Sequence, residues 1–263
     1  MAGSAARGEG ESLLDLLEAR SGVVCAVGAG GKKSLLRRLA AQHPGRVALT
    51  GTVFITHVPE DAGFAIAVAA DADLPGAVAQ LGSAARVVYA CPSDKPGRWA
   101  GASAATIERI HREGGFAATY VKADGARMRW VKAPADDEPA VPECCTTVLP
   151  VVSALAVGEP LSSRVAHRVE RIEQVLGLRE GEIITPTQLG RLIASPLGMT
   201  KRTEARRVVP VINMVDDARR EAGAREAAAV ALDLNERIDR VVLTCLARGE
   251  APLVAVVRRQ STA

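Results

Sequence analysis

Five apolar residues, Val23–Val27, run straight into Gly28-Ala29-Gly30-Gly31. Lys32–Gln42 follows, with Leu35, Leu36 and Leu39 at helical spacing. A short apolar strand that turns through glycines into an amphipathic helix is half of a strand–helix–strand unit. Such a unit places its strand beside a parallel neighbour and needs cover on both sheet faces. The same punctuation recurs downstream. Arg46–Leu49 and Ala85–Ala90 read as strands, Ala102–Arg112 as a helix after the loop Pro92–Gly101, and Gly115–Ala123 as a strand ending at Asp124-Gly125. This alternation predicts an α/β fold, a mostly parallel sheet with helices on both faces.

The remaining segments extend the same pattern. Leu13–Arg20 has the periodicity of a short leading helix, and the stretch from Lys132 to Pro142, rich in proline and acids, reads as loop. Val148–Val152 is expected as a strand, Leu161–Leu178 and Pro186–Ile193 as helices, and Val208–Val215 as a strand. Ala218–Leu234 reads as a long Ala-rich helix before two closing strands, Arg240–Leu246 and Pro252–Val257. The expected organisation is a flexible tail over residues 1–12 and one domain over 13–263, with 151–205 as a more helical section.

At 263 residues with 48% hydrophobic and 24% charged side chains, the chain has the composition of a soluble globular protein. Disordered, collagen-like and small disulfide-stapled classes are excluded. Aromatics are only 3% while alanines number 47, so the core must rest on Val, Leu and Ile, and stacking platforms for single-stranded nucleic acid are not expected. A net charge of +3 argues for neither a nucleic-acid nor a membrane partner. The longest apolar candidate, Phe64–Ala70, is too short to span a bilayer, and Met1–Glu11 lacks the pattern of a signal peptide. Cysteines at 25, 91, 144, 145 and 245 show no CxxC spacing, which points to a reducing, cytoplasmic location. Cys25, Cys91 and Cys245 are read as small core residues, and the adjacent Cys144-Cys145 pair suits a tetrahedral metal poorly.

Three features carry chemistry. Consecutive glycines let successive N–H groups converge on one anion, and the helix start adds its own free donors. Against the phosphate-loop pattern G-x-x-x-x-G-K-[ST], Gly31 and Lys32 fit, but Ala26 holds the first glycine position and Lys33 the hydroxyl position. Shifted by one residue, Lys33-Ser34 fits and both glycines are lost. The candidate phosphate-binding residues are therefore Gly28, Gly30, Gly31, Lys32, Lys33 and Ser34, within a three-layer architecture of the phosphate-loop NTPase type. A dinucleotide site is rejected, because Lys33 takes the third position of G-x-G-x-x-G and Thr50-Gly51-Thr52 offers no acid for a ribose. Asp124, at the carboxyl end of an apolar strand, stands where a magnesium ligand of a nucleotide site would, although an acid before glycine also occurs in plain turns. Asn213-Met214-Val215-Asp216 matches the guanine-reading pattern N-K-x-D except at Met214, which makes Asn213 and Asp216 candidate base-binding residues; a helix cap at Asp216 or Asp217 is the plainer alternative.

Taken together, Val27–Lys32, Ala123-Asp124-Gly125-Ala126-Arg127, Lys132-Ala133-Pro134, Glu138–Pro142, Ala156–Leu161, Val165–Arg168 and Ile212-Asn213 resemble one bacterial family, the selenium-dependent hydroxylase accessory proteins of YqeC type. The resemblance spans about residues 20–257, and Ala123–Pro142 is its most specific part. It implies phosphate-loop nucleotide binding (GTP or ATP with magnesium) and a role in maturing or loading a molybdenum-containing hydroxylase. Carried over, Gly28, Gly30, Gly31 and Lys32 would cradle phosphates and Asp124 would face magnesium, while His167 and Arg168 carry no assigned role. The chain departs from the family pattern at Lys33 (a hydroxyl there), Lys122 (a Glu there) and Met214 (a Lys there), and Gly51 interrupts the hydroxyls of Thr50 and Thr52. Two readings follow. One is an NTPase driving cofactor or metal loading. The other is a non-hydrolytic scaffold that binds a nucleotide, or molybdopterin, with lysine charges in place of the metal.

Overall fold

The structure, a computed structural model, describes residues 11–249 and 251–259. Most of the expected tail lies outside the described residues; Ser12, within them, caps the first helix by accepting from the Asp15 N–H while Asp15 reaches back to it.

The first half contains α1 (Leu13–Leu16), β1 (Gly22–Gly28), α2 (Lys32–Gln42), β2 (Val47–Gly51), β3 (Ile55–Thr56), β4 (Ala65–Val68), α3 (Leu74–Ala79), β5 (Arg86–Ala90), β6 (Arg98–Trp99), α4 (Ala104–Glu113) and β7 (Ala118–Lys122). The second half contains β8 (Val131–Lys132), β9 (Cys145–Ser153), β10 (Ala166–His167), α5 (Val169–Leu176), α6 (Pro186–Ala194), β11 (Arg207–Val208), β12 (Val211–Asn213), α7 (Ala218–Leu234), β13 (Arg240–Thr244) and β14 (Leu253–Arg258). Ten strands form one sheet in the order β14-β13-β12-β9-β1-β7-β2-β5-β4, with β11 also on β9. Every pair is parallel except β13–β14. The expected α/β class holds, with one antiparallel closing strand.

Side-chain alternation divides the core. Val23, Cys25 and Val27 of β1 face a layer that includes Leu74, Ile107, Ile172, Leu189 and Ala227 from α3 to α7. Val24 and Ala26 face the other layer, built from α1 and the Leu35–Leu36–Leu39 stripe of α2. The three layers are therefore unequal: α1 and α2 alone cover one face. β1 sits at the centre of the sheet, between β7 and β9, so its carboxyl end is the place where loops from both halves meet.

Several expectations are corrected. Leu161–Leu178 is not one helix. Val165 and Ala166 turn back on Ser162, β10 pairs with β8 in parallel, and only Val169–Leu176 is helical. The Lys132–Pro142 stretch is loop except at its start, where Lys132 closes β8. Val208–Val215 is broken at Pro210, which has no N–H to donate; β11 pairs with Thr147-Val148 and β12 with Val151–Ser153. Cys91 and Cys245 lie just beyond their strands; Cys25 and Cys245 are buried as expected of core residues, while Cys91 is half-buried. Among the described residues, no helix is long and apolar enough to cross a membrane.

Candidate functional site

β1 ends in Gly28, and the chain then turns through three glycines with positive φ, Gly28 (+89°), Gly30 (+82°) and Gly31 (+129°), before α2 begins. Each is needed sterically. A Cβ on Gly28 would lie 2.4 Å from the Val151 carbonyl, one on Gly30 would lie 2.6 Å from the Ser153 nitrogen, and one on Gly31 would lie 2.4 Å from Asn213 Nδ2. The turn is tied down by long-range bonds: Ala29 N–H donates to the Val151 carbonyl (2.8 Å) and Gly30 N–H to the Arg129 carbonyl (3.1 Å). The N–H groups of Gly31, Lys32, Lys33 and Ser34 have no partner among the described residues, as at any uncapped helix start.

Lys32 does not extend into solvent. It is buried, its Nζ donates to the Gly28 carbonyl, and it lies 2.8 Å from Asp124 Oδ1. This last contact is an ion pair, since no hydrogen bond of good geometry reaches Oδ1. Asp124 Oδ2 accepts from Gly28 N–H (2.8 Å) and pairs with Lys132 (2.9 Å). Lys132, also buried, continues to Glu138 (2.5 Å), and Arg168 closes the chain on both Glu138 oxygens at 2.7 and 3.1 Å. The structure thus brings Lys32 and Asp124 together and adds Lys132, Glu138 and Arg168, to which the sequence assigned no role. The only signal for these three was their place in the family-like string.

Burial lowers the ammonium pKa of Lys32, with Asp124 opposing the shift. Lys122, whose Nζ donates to the Phe54 carbonyl (2.7 Å), falls to about 8, through burial first and the charge of Lys32 second. Burial alone would raise the carboxyl of Glu138, but Arg168 and Lys132 outweigh it and bring the value to about 2. His167, beside this chain, drops to about 4 through burial and the charges of Arg168, Lys132 and Arg127, so it is neutral at pH 7. Three cationic side chains, Lys32, Lys132 and Arg168, therefore pair with two carboxylates, Asp124 and Glu138, and Lys122 lies near enough to feel the charges of Lys32 and Asp124. The surplus is positive.

Magnesium was expected at Asp124. Both carboxylate oxygens already face ammonium groups, and Lys33, at the usual hydroxyl position, is exposed, as is Ser34. Among the described residues, no group of three or more His, Cys, Asp or Glu is arranged to hold a metal ion. As arranged, these donors do not fit a divalent cation. The space before Gly28 and Asp124 is a cavity of about 10 Å³, roughly one water, lined also by Pro134, Pro139 and Met199.

The two candidate base-binding residues are placed differently. Asn213 is buried and braces the turn: its Nδ2 donates to the Gly30 carbonyl (2.8 Å), and its Oδ1 accepts from Thr244 (3.1 Å) and from Leu246 N–H (3.2 Å). Asp216 pairs with Arg220 (3.0 Å) and accepts from the Cys245 thiol (2.9 Å); none of these partners belongs to the glycine turn. Asp217, rather than Asp216, caps α7 through Arg220 N–H.

Between Asp124 and β8 the chain passes through two successive left-handed residues, Arg127 (φ +45°) and Met128 (φ +61°), and Met128 is 95% exposed. Left-handed backbone costs a side-chain-bearing residue about 1–2 kcal/mol. Met128→Gly is expected to raise stability in urea melts by up to about 1 kcal/mol, the relief exceeding the added freedom of the unfolded chain. Lower stability would mean that the Met128 side chain makes contacts worth more than the strain.

Fold and site together define a three-layer α/β protein with its buried charges gathered at the carboxyl end of a central parallel strand. The sequence matches the model of the YqeC protein family over residues 24–170, and the chain belongs to that family. It is 28% identical over 184 residues to a protein of Escherichia coli (strain K12) named "Uncharacterized protein YqeC", covering 69% of this chain and 71% of that one. No solved structure matches it.

Proposed function

We propose that this protein binds a phosphate-bearing ligand, GTP or ATP in the first instance, at the glycine turn and the start of α2. We further propose that it acts in the cytoplasm as an accessory factor in the maturation of a molybdenum-containing hydroxylase. The observation that carries the reading is the positive surplus among Lys32, Lys132, Arg168, Asp124 and Glu138, with Lys122 nearby, set beside four N–H groups that have no partner among the described residues. An anion at that helix start gains both from the free donors and from the excess charge. The maturation role rests on the family resemblance alone.

The state of Asp124 favours binding without metal-dependent turnover, because two ammonium groups occupy the carboxylate a magnesium ion would need. Lys32 is the group best placed to leave Asp124 for a phosphate oxygen, since Lys132 would still balance the carboxylate. Calorimetric titration with GTP, ATP and GDP, each with magnesium and with EDTA, tests this. Affinity is expected to change by less than about threefold with the metal, Lys32→Ala to weaken binding at least tenfold, and phosphate release to stay at background. Magnesium-dependent hydrolysis that disappears in Lys32→Ala would establish the NTPase reading instead, and no nucleotide binding under either condition would reject both.

A further inference from the structure

The chain has three Phe, two Trp and two Tyr. Tyr89, Tyr120 and Phe116 are buried, which leaves few rings with accessible surface. Two of these lie beyond the carboxyl end of β2: Trp99 on the short β3–β6 pair, where it faces Ile55, and Phe54 immediately before β3. There the His57 and Trp99 rings stack with centroids 4.4 Å apart at 31°, and Lys95 Nζ sits 3.8 Å over the Phe54 ring. His57 is exposed and Trp99 half-buried, so the stack keeps ring surface open.

This aromatic ledge is joined to the glycine turn from two sides. Lys122, which pairs in register with Ala26 of β1, donates from its Nζ to the Phe54 carbonyl. Arg37 of α2 donates to the His57 carbonyl at 3.0 Å. Arg37 lies five residues beyond Lys32, about 7.5 Å along the helix, a span that a pentose can bridge. Lys33 and Arg98 are exposed and carry no side-chain partner among the described residues. The Nε of Arg37 and the Oγ1 of Thr56 are buried without hydrogen-bond partners among the described residues. On the opposite side of the turn, Asn213 has its amide committed to bracing Gly30.

We propose that the His57–Trp99 stack is the seat of a planar heteroaromatic base belonging to the ligand whose phosphates bind at the start of α2. The class of ligand is then a nucleoside di- or triphosphate rather than a simple polyanion, read on the β2 side of the turn. This rests on the reading of the turn as a phosphate site. A base stacked on these rings gains from its π-face, which every nucleobase has, so ATP and GTP should differ little.

The test uses Trp130→Phe protein, in which Trp99 is the sole tryptophan, titrated with ATP, GTP and inorganic tripolyphosphate. Trp99 fluorescence is expected to quench with both nucleotides and not with tripolyphosphate. His57→Ala and Trp99→Ala should each weaken nucleotide binding, together by roughly tenfold or more. Tripolyphosphate affinity should stay within twofold, and Trp99→Phe should restore most of the loss. Should Trp99→Ala fail to fold, the exposed His57→Ala carries the comparison. Nucleotide affinity unmoved by these substitutions but lowered by Asp216→Ala would overturn the ledge while leaving the phosphate site standing. Failure of tripolyphosphate and nucleotides alike to bind would overturn both.

Discussion

Replacing Asp124 with alanine is expected to destabilise the protein by about 3–5 kcal/mol, the usual cost of stripping a partner from a buried ion pair. Asp124 is 2% exposed and stands between Lys32 and Lys132, both buried. Without it, Lys32 keeps only the Gly28 carbonyl, and Lys132 must be balanced by Glu138 alone. Gly28 N–H also loses its acceptor. Urea unfolding reads the effect directly. Asp124→Asn should recover little of the loss, because it restores shape and a hydrogen-bond acceptor but not the charge. If Asp124→Ala lies within about 1 kcal/mol of the parent, the two ammonium groups are not enclosed as described.

Gly30→Ala is the second large effect, about 2–4 kcal/mol, and its origin is different. At φ +82° a side chain costs about 1 kcal/mol in backbone strain alone. The added Cβ would also lie 2.6 Å from the Ser153 nitrogen and 2.8 Å from the Val152 carbonyl carbon, both backbone atoms of β9. Backbone cannot rotate aside as a flexible side chain can, so β1 and β9 would have to separate. Gly115→Ala separates the two causes. Gly115 also has positive φ (+65°), but nothing lies within 4 Å of its added Cβ, so about 1 kcal/mol is expected there. Equal losses at the two positions, measured by denaturant melts, would show that β9 yields and that the close approach matters little.

Local signals account well for the strand–turn–helix unit, through its glycines and the Leu35–Leu36–Leu39 stripe, and for the helix Ala218–Leu234, which Asp217 caps. They fail where a periodic pattern serves another purpose. Leu161, Val165, Ile172 and Leu176 are spaced like a helix face. Yet Leu161 N–H bonds the Glu182 carbonyl, and the Val165 carbonyl accepts from Trp130 and Val131, so tertiary pairing overrides the period. Ile55–Thr56 and Arg98–Trp99 are too short to show any alternation. At the site, Lys32 and Asp124 were legible because one opens the helix after a glycine turn and the other follows a recognisable strand end. Lys132 and Glu138 were not, because the loop path that sets Lys132 against both Asp124 and Glu138 follows no spacing rule. Lys122, from sequence only a departure from the family pattern, proves to be the tie between β7 and the ledge beyond β2.

Lys32 folded against the Gly28 carbonyl and Asp124 has a consequence for competition among solutes. The ammonium group is already satisfied, so an anion entering the proposed phosphate site has to outbid a carboxylate fixed in place by the fold. A monovalent ion such as chloride or acetate offers no more charge than Asp124 supplies, and it brings a hydration shell to be removed. Only a species with several negative oxygens on one framework can engage Lys32 and the helix start at once and come out ahead. The internal pair would thus set a valence threshold, passing over the abundant simple anions of a cell and responding only to polyvalent ones.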